Sequence, residues 1–129
     1  MTTFEIVALY VALSLILNPY LMLRIGNVRL KKKIDLGDGG DAEMLARIRA
    51  HGNFTEVAPL ALIGLIAIAM LSGSAIALHI LGIAYFIGRI FHFLGMAGYF
   101  GKGRLIGTLM TLLVFLGQAG YLLYLIFMT

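Results

Sequence analysis

Four long apolar runs, parted by short polar breaks, leave this chain very little choice of fold. They cover residues 4–23, 57–71, 75–99 and 105–128. About 20 apolar residues, with a range of roughly 17–25, carry an α-helix across the hydrocarbon of a bilayer. Lipid offers no hydrogen-bond partners, so a spanning segment of this kind must satisfy its own backbone as a helix. The second run reaches that length once its helix extends back through Glu56 and Asn53. Composition agrees: 61% of the 129 residues are hydrophobic and 12% are charged. A soluble domain sits nearer half apolar and a quarter charged, and a chain this short has too little interior to hide the excess. The expected fold is all-α, an integral membrane four-helix bundle. It is read as one transmembrane domain over residues 1–129, with helices over about 4–33, 42–71, 75–99 and 105–128.

The basic residues orient the bundle. Seven of the ten Lys and Arg lie between Arg24 and Arg49, and Lys102 and Arg104 follow the third run. The N-terminus and the Ser72-Gly-Ser74 turn carry none. Basic loops stay on the cytoplasmic side, so both termini are expected outward, in a multi-pass protein of the cell inner membrane. The net charge of +4 then reflects topology and lipid headgroup contact at Lys31, Lys32 and Lys33, not nucleic acid. The first run lacks a basic leader and carries Glu5 at its start, so it is read as a resident helix and not a cleaved signal. With no cysteine, thiolate metal sites and a protein-borne thiol nucleophile are excluded, and any thiol chemistry needs a thiol brought by a ligand.

The breaks between helices have local causes. Asn18-Pro19 predicts a kink in helix 1, because proline removes a backbone bond and crowds the turn before it. Asp35-Leu-Gly-Asp-Gly-Gly-Asp41 matches neither calcium-loop nor phosphate-loop spacing. It reads as a flexible connector, with Asp41 capping helix 2. Glycines recur through the third and fourth runs, where they let helix backbones approach closely.

Helix 2 enters its apolar run with an unusual polar load, Arg47-Ile-Arg-Ala-His-Gly-Asn-Phe-Thr-Glu56. Arg49, Asn53, Glu56 and Leu60 recur at i, i+4, i+7 and i+11, one helical stripe, while His51 points nearly the opposite way. In helix 3, Arg89, His92, Met96 and Tyr99 form a second stripe, spread over about 15 Å. Arg89 is the deepest charge. A central arginine costs roughly 2.5–3.5 kcal/mol even on a lenient insertion scale, so it needs a partner. Elimination among the acidic residues points to Glu56, within one subunit or between two. His79 reads as an interfacial histidine without a role. His51 and His92 lack the spacing of a metal site, and no metal is expected. Arg29, Arg49, Asn53, Glu56, Arg89, Tyr99 and Arg104 all fall toward the cytoplasmic half. Such an excess of cation suits a ligand bearing carboxylates, and arginines beside a ligand thiol favour its thiolate.

At these residues the chain resembles the MAPEG family, membrane-associated proteins in eicosanoid and glutathione metabolism. Arg49-Ala-His-Gly-Asn53-Phe-Thr-Glu56 is similar to the family's Arg-Ala-X-X-Asn-X-X-Glu segment. Val28-Arg29-Leu-Lys-Lys-Lys33 resembles the basic end of its helix 1, and Arg89-Ile-Phe-His92 an Arg-X-X-His of some members. Gly37-Asp-Gly-Gly40 and the residues from Gly88 to Gly95 look like a small bacterial branch. The resemblance implies a homotrimer with glutathione bound between subunits. It would place Arg29 on a glutathione carboxylate, Arg49, Asn53 and Glu56 on the peptide, and His92 in the same cleft. Arg104 would stabilise the thiolate. Two positions depart from the pattern: Met96 stands where some members place a tyrosine, which Tyr99 could replace only with a shift in register, and Leu105 stands where a hydroxyl residue can follow the arginine.

The expected activity is a glutathione-dependent membrane transferase or peroxidase acting on hydrophobic electrophiles, with Arg104 and Arg89 catalytic and Arg29, Arg49, Asn53, Glu56, His92 and Tyr99 binding the cofactor. The alternative is a non-catalytic glutathione- or lipid-binding membrane scaffold, which Met96 and Leu105 favour. A small four-helix exporter ranks below both, because it would carry a carboxylate deep in helix 1 and Glu5 lies at its very end.

Overall fold

The computed structural model describes residues 1–128, which form four helices: α1 (Thr3–Lys32), α2 (Ala42–Met70), α3 (Ala75–Met96) and α4 (Gly103–Met128). Each is long and apolar enough to cross a membrane. Short connections make consecutive helices antiparallel neighbours. α1 packs on α2 and α3, α4 packs on α2 and α3, and among the described residues α1 and α4 do not pack on each other.

The helix ends follow from local chemistry. Thr2 caps α1, accepting from the Glu5 N–H at 3.2 Å while Glu5 reaches back to the Thr2 N–H at 2.7 Å. This reciprocal box satisfies two donors that have no partner inside the helix. α1 continues through Pro19 as one helix and ends at Lys33, which takes a left-handed conformation with φ 55. The connector beyond it is tied down and not a loose tether. Arg29 Nη1 donates to the carbonyls of Ile34, Asp35 and Gly37 at 3.3, 3.3 and 3.0 Å. Asp41 caps α2 as expected, accepting from the Met44 N–H at 2.8 Å and from Lys32 Nζ at 2.7 Å. The ammonium of Lys32, then the Met44 N–H, hold its carboxyl below the ordinary value of 3.8.

α3 ends at Met96, three residues short of the expected Tyr99. Gly98 adopts φ 81, and the Tyr99 N–H turns back to the Leu94 carbonyl at 3.0 Å. A left-handed glycine just past the last turn stops a helix there, because a side chain at that φ is strained.

Two apolar clusters make the core. One gathers Ile6, Tyr10, Leu65, Ile68 and Leu78 near the outer turns. The other gathers Leu17, Leu21, Phe54, Tyr85, Phe93 and Val114 toward the basic end. Two buried polar contacts tie the helices together. Ser14 Oγ meets the Tyr85 hydroxyl at 3.0 Å, and Gln118 donates to the Ala61 carbonyl at 2.8 Å. His79, expected to have no role, meets the Tyr10 hydroxyl at 3.0 Å. Many leucines and isoleucines point outward instead, as a surface solvated by lipid permits.

Candidate functional site

The α3–α4 crossing sets the position of the deepest charge. A Cβ placed on Gly107 would land on the Gly88 carbonyl and the His92 backbone, so only glycine allows this approach. The two backbones therefore come close enough for the Arg89 side chain on α3 to reach Gly107 and Thr111 on α4. Arg89 Nη2 donates to the Gly107 carbonyl at 3.1 Å and to Thr111 Oγ1. Thr111 in turn donates to the Gly107 carbonyl at 2.9 Å. Arg89 Nη1 donates to Asn53 Oδ1 on α2 at 2.6 Å. The arginine is thus clamped by three neutral acceptors from two neighbouring helices.

The sequence pointed to Glu56 as the partner of Arg89, and within the chain that pairing is replaced by Asn53. About 60° of helix rotation separates residues three apart, which is enough to turn Asn53 toward α3 and Glu56 away from it. Glu56 lies outside, with its side chain 62% exposed and 3.9 Å from Arg49. At that distance, with both side chains more than half open, the attraction holds little. Arg89 itself is 3% exposed, and its Nε–H has no partner among the described residues. Leaving a buried donor on a charged group without an acceptor costs about 1–3 kcal/mol or more.

Arg89 and Asn53 open onto a cleft of about 240 Å³ between α2 and α4, with Val57, Thr108, Thr111 and Phe115 on its walls. Thr108 also lines a neighbouring cleft of about 430 Å³ with Gly101, Arg104 and Leu105. Two arginines thus reach adjoining clefts that share one hydroxyl residue. Thr108 donates to the Arg104 carbonyl at 2.8 Å, one turn along α4. Leu105 occupies the position expected for a hydroxyl residue, and the hydroxyl comes one turn later.

The other expected site residues divide. Arg49 lies beside Glu56 on the outer stripe of α2. His92 is buried, 6% exposed, at the α3–α4 crossing. Arg29 is engaged with connector carbonyls. Tyr99 is 77% exposed and lines a different cavity with Arg24 and Arg47. His51 turns away from the stripe, as its position requires, and meets Asn18 Oδ1 on α1 at 2.9 Å. The sequence reading missed Thr108 and Thr111. The signal for them was two hydroxyls within one turn of Gly107, in a run whose other residues are apolar apart from Gln118.

Fold and site together define an integral membrane four-helix protein with an arginine- and asparagine-lined cleft toward its basic end. The chain belongs to the MAPEG family, whose model matches residues 7–124. It is similar to the inner membrane protein YecN of Escherichia coli K12, at 33% identity over 88 residues, 68% of this chain and 67% of that one. The same protein from Escherichia coli O6:H1 strain CFT073 matches to the same extent. No solved structure matches the chain.

Proposed function

We propose that this chain is a glutathione-dependent transferase or peroxidase of the inner membrane, acting on hydrophobic electrophiles that partition from lipid. The observation that carries the reading is the buried Arg89 guanidinium, held by Asn53 and Thr111 with its Nε–H unpartnered among the described residues, on a residue that lines a cleft. A cation in that setting lacks an anion, and glutathione supplies two carboxylates and a thiolate. Arg104, exposed at the mouth of the adjoining cleft, is the group assigned to the sulfur. Each unit by which it lowers the thiol pKa is worth about 1.4 kcal/mol. The thiol proton leaves to solvent, the sulfur forms a bond to the electrophilic carbon, and the leaving group departs with its bonding pair.

The cofactor lies between copies of the chain in a homotrimer. Arg49 and Glu56 support this, since both sit on an outward stripe of α2 and Glu56 lies midway along that helix. A carboxylate at that depth facing lipid is costly, and a neighbouring subunit removes the cost. In the trimer Arg49, Asn53 and Glu56 hold the peptide, Arg29 reaches a carboxylate, and His92 backs the cleft through α3. Tyr99 is not part of this arrangement.

The test uses purified protein, glutathione and a chromogenic aryl halide, with thiolate absorbance titrated in parallel. Turnover that Arg104→Ala abolishes in a folded protein supports the reading, and full activity in that variant sinks the role of Arg104. Leu105 and Met96 favour a second reading, a scaffold that binds glutathione without reacting. Binding with no thiolate signal and no turnover would select it.

A further inference from the structure

Another polar cavity, which shares no lining residue with the Arg89 and Arg104 clefts, lies where the end of α1, the start of α2 and the end of α3 meet. It holds about 470 Å³ and is lined by Arg24, Glu43, Arg47 and Tyr99, with Ala46 and Gly98 between them. Its charges are unevenly matched. Glu43 is its one carboxylate, and both oxygens are taken, Oε1 by Arg47 at 2.6 Å and Oε2 by Lys32 at 3.0 Å. Arg47 also donates to the Arg24 carbonyl at 2.8 Å, which fixes it against α1.

Arg24 is left over. Its guanidinium carbon sits 4.7 Å from the centre of the Phe93 ring, and its N–H groups have no acceptor among the described residues. The ring face attracts the cation and holds the guanidinium plane in place, but it supplies no lone pairs to the N–H groups. A half-buried arginine held this way, in a cavity that Tyr99 also lines, lacks only a small anion with several acceptor oxygens. A phosphate group provides that, with oxygens spaced for two parallel N–H bonds.

The wall next to Arg24 says what carries the phosphate. Phe93 packs edge to face with Tyr20 at 5.7 Å, and Tyr20 is half exposed on α1 next to Leu23, which is 61% exposed. An amphiphile with its phosphate on Arg24 would lay its chains along Tyr20 and Leu23. The cavity also stands at the end of the bundle that carries the basic loops, where anionic lipid collects. We propose that this cavity is a binding site for the phosphodiester headgroup of an anionic membrane lipid. Arg24 is its principal cation, and Tyr99 is a second donor.

The test is native mass spectrometry of the full chain in detergent, titrated separately with phosphatidylglycerol, phosphatidylcholine and inorganic phosphate. The wild type should retain phosphatidylglycerol in preference to phosphatidylcholine. Arg24→Gln should weaken phosphatidylglycerol by about fivefold, the worth of one cation near a charged surface. The change Lys102→Gln, which removes an exposed cation outside the cavity, should leave that affinity within about twofold of wild type. Should Arg24→Gln fail to fold, Tyr99→Phe removes only an exposed hydroxyl and should still weaken phosphatidylglycerol by about threefold. Equal loss in the lysine variant overturns the site in favour of diffuse attraction. Equal retention of both lipids also overturns it, and displacement of the lipid by equimolar inorganic phosphate overturns the lipid as occupant.

Discussion

Arg89 Nη1 donates to Asn53 Oδ1 at 2.6 Å, and this contact joins α3 to α2 at the depth where the chain carries its most buried charge. Asparagine there is a neutral acceptor for a guanidinium that has no carboxylate partner among the described residues. Asn53→Ala should therefore leave a second donor on Arg89 unpaired and cost about 1–3 kcal/mol. Unfolding in detergent with increasing denaturant measures it. Asn53→Asp should recover that loss or exceed it, since an ionised acceptor strengthens the bond. An alanine variant as stable as wild type would remove the contact from any account of the fold.

Thr111 is the second neutral acceptor and also donates to the Gly107 carbonyl. Thr111→Val keeps the shape and removes both bonds, so a loss of about 1–2 kcal/mol is expected. Thr111→Ser should sit close to wild type. If valine and serine behave alike in the same unfolding experiment, the hydroxyl is not what holds Arg89.

Gly107 packs against the Gly88 carbonyl and His92 backbone with no room for a Cβ. Gly107→Leu should push α4 from α3 and remove the platform on which Arg89 is clamped. The expected cost is about 1–3 kcal/mol or more. Gly120→Leu is the control, since a Cβ there meets nothing within 4 Å. Yield of monodisperse protein and melting temperature compare the two.

The start of α2 should respond to acid. Lys32 and the Met44 N–H hold the Asp41 carboxyl below 3.8. A lowered folded value means the cap's contribution is complete above the ordinary carboxyl range and fades as pH falls through the folded value. Protection of the first-turn amides of α2 against hydrogen exchange, taken relative to the intrinsic rate at each pH, should fall below about pH 4, the ordinary carboxyl range. In Asp41→Asn, which keeps a capping oxygen and cannot titrate, that acid dependence should be gone.

Arg104 carries the prediction that concerns chemistry. Arg104→Ala should lower conjugation by about 100-fold or more, the usual loss when a single charge-stabilising donor is removed. Thermal stability should barely change, because the residue is exposed. Thr108→Val tests whether the hydroxyl one turn later stands in for the one absent at Leu105. A drop in turnover with unchanged glutathione affinity would place it at the sulfur, whereas unchanged turnover would leave it a contact within α4 to the Arg104 carbonyl.

Much of the architecture was legible in the residues. The lengths of the apolar runs set four spans because bilayer thickness admits few alternatives. Asp41 announced the start of α2 because its side chain is a good acceptor for free helical N–H groups. The helical period placed His51 away from Arg49, Asn53 and Glu56, and the structure shows that this side meets Asn18 on α1. The end of α3 was harder to see, since the stripe through Tyr99 continues past the point where Gly98 turns left-handed. Periodicity reports which side chains would align if the helix went on, and it says nothing of where the backbone leaves it.

The sequence by itself determined that this chain spans a membrane with four helices and that its polar groups collect toward one end. It also determined that Arg89 needs a partner, since that follows from the cost of a charge in lipid. Which partner was decided only in three dimensions. Elimination selected Glu56 as the most complementary charge. The approach of α3 to α4 at Gly107 and the rotation of α2 brought Asn53, Thr111 and a carbonyl to the guanidinium and left Glu56 outside. Charge complementarity is a property of residue types, but contact depends on helix rotation and interaxial distance, and those are set by glycines and apolar packing far from the charges themselves.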